Sequence, residues 1–141
     1  MLRPNAVVSI RGTQTYEGRE PEVIELTTEG ELYEKDGVVY LAYAESELTG
    51  LEGTLTTFSL REDRVSLVRT GRVESAMEFT VGQVDESLYD TGMGALLVTI
   101  RTLAIENNMA LTGGNLHVSY KITIESFGSG QIDYEVIATR I

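Results

Sequence analysis

Val65, Leu67 and Arg69 stand at alternate positions of a strand-like run, so a guanidinium follows two apolar side chains onto the same face. If that face is internal, Arg69 requires a partner, because an uncompensated buried charge costs several kcal/mol. Tyr43 and Glu45 share a face in another run, and Tyr120 stands among the apolar residues Leu116, Val118, Ile122 and Ile124. Arg69 grouped with Glu45, Tyr43 and Tyr120 would hold a carboxylate or a similarly polar ligand head, since the planar guanidinium fork pairs carboxylates bidentately. The same four residues could instead satisfy one another as a structural network that closes one end of the fold. A third arrangement turns Arg69 outward and leaves it an ordinary surface residue.

Other chemistry finds less support. His117 is the single histidine and sits on the polar face of its run, where it reads as a surface or paired residue rather than a base. No G-x-S-x-G elbow accompanies it, so no catalytic residue is assigned. Cysteine is absent, which removes disulfides, thiolate zinc sites and thiol nucleophiles together. The glycines match no dinucleotide or phosphate-loop pattern, and paired carboxylates are too abundant in this chain to be diagnostic. No metal site and no cofactor are expected. Met77, Met93 and Met109 read as core or rim packing.

The elements that carry these residues are strands. Apolar–polar alternation recurs over Ala6–Thr15, Val23–Thr28 with a continuation through Glu31–Glu34, Val38–Glu45, Glu52–Arg61, Arg64–Thr70, Val73–Val81, Ser87–Thr91, Ala95–Ile105, Leu116–Ser126 and Gln131–Arg140. Ala6, Val8, Ile10, Gly12 and Gln14 share one face of the first run; Ile24, Leu26 and Thr28 form the inner face of the second. Gly30 permits a break or sharp bend. Asp36-Gly37 is the strongest hairpin signal in the chain. Glu106–Thr112 is ambiguous between a helical turn and an irregular loop. Ala95–Ile105 is apolar on both faces and is expected to be covered on both, by the interior and by a partner subunit. About ten strands in sequential order would curl and expose edges as a flat sheet, whereas closure into an antiparallel meander β-barrel of 8–10 strands removes both difficulties.

Composition bounds the setting. A chain of 141 residues is read as a single domain, residues 1–141, large enough to bury roughly 68–70% of its unfolded surface. Eleven Lys and Arg against twenty-two Asp and Glu give a net charge of −11, which repels nucleic acid and anionic membrane. Nine of the cations are Arg, the residue suited to fixed pairing with carboxylates. The longest nearly uncharged apolar run, Ala95–Ile100, is far short of the ~20 residues of a membrane helix. The first residues show no targeting pattern, so the chain reads as cytoplasmic.

Short pieces spread along the chain carry a family likeness. They are Thr28-Glu29-Gly30, Tyr43-Ala44-Glu45, Gly50-Leu51-Glu52-Gly53-Thr54 leading to Thr57, Val68-Arg69-Thr70-Gly71, Phe79, Tyr89-Asp90-Thr91-Gly92-Met93-Gly94, Thr102 and Tyr120. In their order and spacing the chain resembles the YwiB-like family of uncharacterised bacterial β-barrel proteins. That resemblance implies a calycin-like barrel, akin to lipocalins and fatty-acid-binding proteins, and no activity, since fold does not imply function.

Two function classes follow. One is a binding module that holds a small apolar or amphipathic molecule, its polar end on Arg69 and its neighbours. The other is a barrel filled by its own side chains, acting through its surface as a homodimeric interaction protein. An enzyme is the least supported class. The volume enclosed by the strands separates the first two.

Overall fold

Ten strands form because β-branched and aromatic residues recur with period two between turn residues. The computed structural model describes Leu2–Ile141. The strands are β1 (Ala6–Tyr16), β2 (Glu22–Lys35), β3 (Val38–Ala44), β4 (Thr54–Leu60), β5 (Val65–Gly71), β6 (Ser75–Phe79), β7 (Val84–Asp90), β8 (Ala95–Asn107), β9 (Gly113–Ile124) and β10 (Gly128–Arg140). They make one antiparallel sheet in the order β6-β5-β4-β3-β2-β1-β10-β9-β8-β7, with β10 carrying the meander back to β1.

The sheet curls until its two edge strands lie side by side. Glu74 and Asp90 exchange two backbone hydrogen bonds there (2.8 and 2.9 Å), and the Glu78 amide donates to Asp85 Oδ2 (3.0 Å). The result is a nearly closed all-β barrel, as the alternation implied. The observed strand ends lie within three residues of those read from the sequence.

One end of the barrel is filled. Val8, Leu32, Leu41, Phe58, Val65, Phe79, Leu116 and Val136 converge there, each no more than 2% exposed. Met109, in the β8–β9 connection, packs against this core.

Several local expectations are corrected. Gly30 makes no break: β2 is continuous through it, passing there from pairing with β1 to pairing with β3, and a Cβ at that position would lie 2.8 Å from both the Ala42 carbonyl oxygen and Val8 Cγ2. Glycine is needed there for close approach. Glu106 and Asn107 end β8, and the connection to Gly113 is an irregular turn closed by an Ala110–Gly113 bridge, without helix. Within the chain the interior covers one face of β8, and the face expected against a partner subunit is open. A bulge between Thr102 and Ala104 breaks its alternation, so Leu103 and Ala104 are both exposed, as are Leu96 and Leu97. Met93 is 97% exposed at the β7–β8 turn, whereas Met77 and Met109 are buried as expected. Asp36 (φ 53°) and Gly37 (φ 79°) form the tight β2–β3 hairpin that their sequence signals.

Candidate functional site

The opposite end of the barrel is hollow. Five connections surround it, including the turn from β1 to β2 and the loop Ser46–Gly53 between β3 and β4. Below them lies a cavity of about 310 Å³, lined by Tyr16 and Gln14 of β1, Arg69 of β5, Tyr89 of β7, Tyr120, Ile122 and Ile124 of β9, and Ile132 and Tyr134 of β10. A second space of about 80 Å³ lies behind it, and Arg69, Tyr134, Gln14, Thr49 and Leu51 border both.

Strand alternation delivers Arg69 to this place. Val65 and Leu67 are buried on the inner face of β5, and Arg69, two residues on, reaches the point where the core gives way to the cavity. Its side chain is 12% exposed. Glu45 follows the last residue of β3, and its side chain is 2% exposed. The two charges approach to 3.9 Å between Arg69 Nε and Glu45 Oε2. That distance is an ion pair and not a hydrogen bond.

Glu45 takes its hydrogen bonds elsewhere. Thr49 Oγ1, in the β3–β4 loop, donates to Oε1 (3.0 Å), and Thr56 Oγ1 of β4 donates to Oε2. Arg69 Nε is buried and has no hydrogen-bond acceptor among the described residues. Burial alone would favour loss of its proton, but the oxygens of Tyr134, Tyr43, Glu45 and Tyr89 outweigh it, so the guanidinium stays charged.

Three phenols frame the pair. Tyr43 OH and Tyr134 OH share a hydrogen bond of 2.9 Å, and the Phe58 ring lies against both. Burial, first of all, raises the pKa of Tyr43 well above the ordinary 10.0, with Tyr134 and Glu45 adding to it. Burial also raises Tyr134 and Tyr120, while Arg69 pulls both back. All three are therefore neutral phenols at physiological pH. Tyr120 packs its ring on Phe79 (centroids 4.8 Å apart) and lines the cavity.

Of the four residues singled out in the sequence, the fold thus joins Arg69 and Glu45 directly and sets Tyr43 and Tyr120 beside them. Tyr43 bonds Tyr134 rather than Arg69, and Tyr120 bonds none of the other three. Sequence reasoning missed Tyr134, Thr49, Thr56 and Tyr89. Tyr134 had a visible signal, since it alternates with Ile132 and Val136; Thr56 likewise alternates with Phe58. Nothing local marks Thr49, which reaches Glu45 from a loop. His117 lies outside the cluster, 4.0 Å from Asp133 on the outer surface. Among the described residues no group of His, Asp and Glu is arranged to hold a metal ion.

A nearly closed ten-stranded antiparallel barrel with a polar cluster at one end defines the class as a small β-barrel protein. Residues 8–136 match the domain of unknown function DUF1934, and the chain belongs to that family. It is 29% identical over 103 residues to the "uncharacterized beta-barrel protein YwiB" of Bacillus subtilis (strain 168), an alignment covering 73% of this chain and 71% of that protein. The crystal structure of the ywiB protein from Bacillus subtilis superposes with a TM-score of 0.87 at 21% identity, covering 99% of this chain and 95% of the other. The shared barrel accounts for the likeness seen in the short sequence pieces.

Proposed function

We propose that this barrel binds a small, mainly apolar molecule in the cavity at its open end and holds the molecule's polar end on Arg69. The observation that carries this reading is Arg69, a charged side chain at the cavity wall whose Nε, turned toward Glu45, has no acceptor within hydrogen-bond distance. Buried donors in native proteins are normally satisfied, so an orphan beside a cavity points to a partner outside the chain. The cavity volume, about 310 Å³, falls at the small end of the ~300–1,000 Å³ typical of small-molecule sites. Its wall of Ile122, Ile124, Ile132, Val98 and Met77 suits an apolar body. Native mass spectrometry of freshly purified protein tests the reading. The expected result is an adduct of small-molecule mass that Arg69→Met lacks; a bare chain in both, from several expression hosts, counts against it.

A second property is compatible with the first. Leu88 (60% exposed) and Leu97 (38%) pair across β7 and β8 on the outer surface, with Val84 nearby at 51%. This face favours a homodimer. Sedimentation at micromolar concentrations should give twice the monomer mass, and Leu88→Glu should return it to the monomer.

A further inference from the structure

Resting on the ligand-binding reading above, we infer that the site selects its ligand by head-group charge: it takes a single carboxylate and rejects a dianion, and Glu45 is the residue that sets this specificity. The local charges lead there. Arg69 lines both the main cavity and the smaller space beside it, Glu45 borders the smaller space alone, and the phenols around them are kept neutral by burial. Two threonine hydroxyls already satisfy Glu45, so the carboxylate does not depend on Arg69 for hydrogen bonds. It stays fixed behind the guanidinium as a negative charge that cannot swing away.

A ligand arriving from the cavity therefore meets the terminal nitrogens of a guanidinium whose charge Glu45, on the Nε side, offsets only in part. A carboxylate offers two planar acceptors to that fork and adds one negative charge. When Tyr43 donates the bond it shares with Tyr134, the Tyr134 proton at the cavity wall is left for the incoming group. A phosphate monoester brings a charge of about −1.5 to −2 at neutral pH. One arginine cannot offset that beside Glu45, and the low-dielectric wall amplifies the repulsion. A neutral alcohol places a single acceptor on a fork built for two. Glu45 thus acts as a specificity-determining residue through the charge it holds against Arg69, without touching the apolar body of the ligand.

Three probes with one tail separate these cases: octanoate, octyl phosphate and 1-octanol, titrated calorimetrically into the purified full chain. The cavity, equal to about ten waters at ~30 Å³ each, suits molecules of this size. The wild type should bind octanoate at least tenfold more tightly than either of the other two. Glu45→Gln keeps the shape and removes the charge, and should close the gap between octyl phosphate and octanoate to within threefold; Arg69→Met should lose octanoate. Circular dichroism confirms that both variants are folded, and Glu25→Gln, which removes an exposed carboxylate on the outer face of β2, should retain the wild-type preference. Equal binding of octyl phosphate and octanoate to the wild type overturns the inference, and so does an unchanged ratio in Glu45→Gln. Equal binding of octanol overturns the charge selection while leaving the ligand cavity standing. Failure of all three probes to bind overturns the ligand reading itself.

Discussion

Phe58, Leu41, Val65 and Leu116 meet at one end of the barrel with no more than 1% of their surface exposed, while Tyr16, Leu51, Tyr89, Ile124 and Tyr134 at the other end are only partly buried around an open space. The same strands build both ends. β5 contributes Val65 to the first and Arg69 to the second; β9 contributes Leu116 and Val118 to the first, and Ile122 and Ile124 to the second. The difference teaches that stability and recognition are divided along the strand axis. One end supplies close packing and tolerates no void. The other leaves a polar cluster partly unsatisfied, which natural cores avoid unless the group has another use.

The division predicts unequal costs for similar truncations. Phe58→Ala at the packed end should lower unfolding free energy by about 3–5 kcal/mol in urea titration, because its cavity cannot collapse. Ile124→Ala, on a wall that already borders empty space, should cost about 2 kcal/mol or less. Equal losses would erase the distinction between the ends. Gly30→Ala, also at the packed end, forces a methyl against the Ala42 carbonyl and Val8, and overpacking of this kind costs about 1–3 kcal/mol.

Alkaline titration sharpens the contrast. Tyr43, Tyr134 and Tyr120 have pKa values raised above 10.0, chiefly by burial. The folded state therefore holds these protons more tightly than the unfolded chain. Their contribution to stability is complete below pH ~10 and declines as pH rises beyond it. Phenolate absorbance should accordingly show Tyr43, Tyr134 and Tyr120 ionising only as the barrel unfolds. Ionisation of these three phenols near pH ~10 in a folded protein would contradict their burial.

The smallest stability effect is expected at the most interesting residue. Breaking a well-formed buried ion pair costs ~3–5 kcal/mol, but Glu45 keeps both threonine bonds when Arg69 is gone. Arg69→Met should therefore fall well below that range while removing ligand binding. A loss of the full amount would mark Arg69 as a structural strut.

Much of this fold could be read from alternation, because a strand that faces a core on one side must repeat every second residue. By that rule Arg69 shares the face of Val65 and Leu67 and goes wherever they go, and Tyr120 is placed by its neighbours Val118 and Ile122. The rule fails where the backbone departs from it. The bulge at Thr102 puts Leu103 and Ala104 outside in succession, a break in period that nothing in the sequence of β8 marks. Loops carry no period at all, and Thr49 could not be assigned to Glu45 until the β3–β4 loop was seen folding over the cavity. The void itself is invisible in sequence, since it depends on which of the inward residues meet across the barrel.

Methyl-labelled spectra of Ile, Leu and Val, recorded while octanoate is titrated in, test the division between the two ends most directly. The account predicts saturable shifts at Val98, Ile122, Ile124 and Ile132, which line the cavity, and none at Leu32, Leu41, Val65 and Val136 in the packed end. Uniform shifts at both ends, or no saturable shift at the cavity methyls, would contradict it.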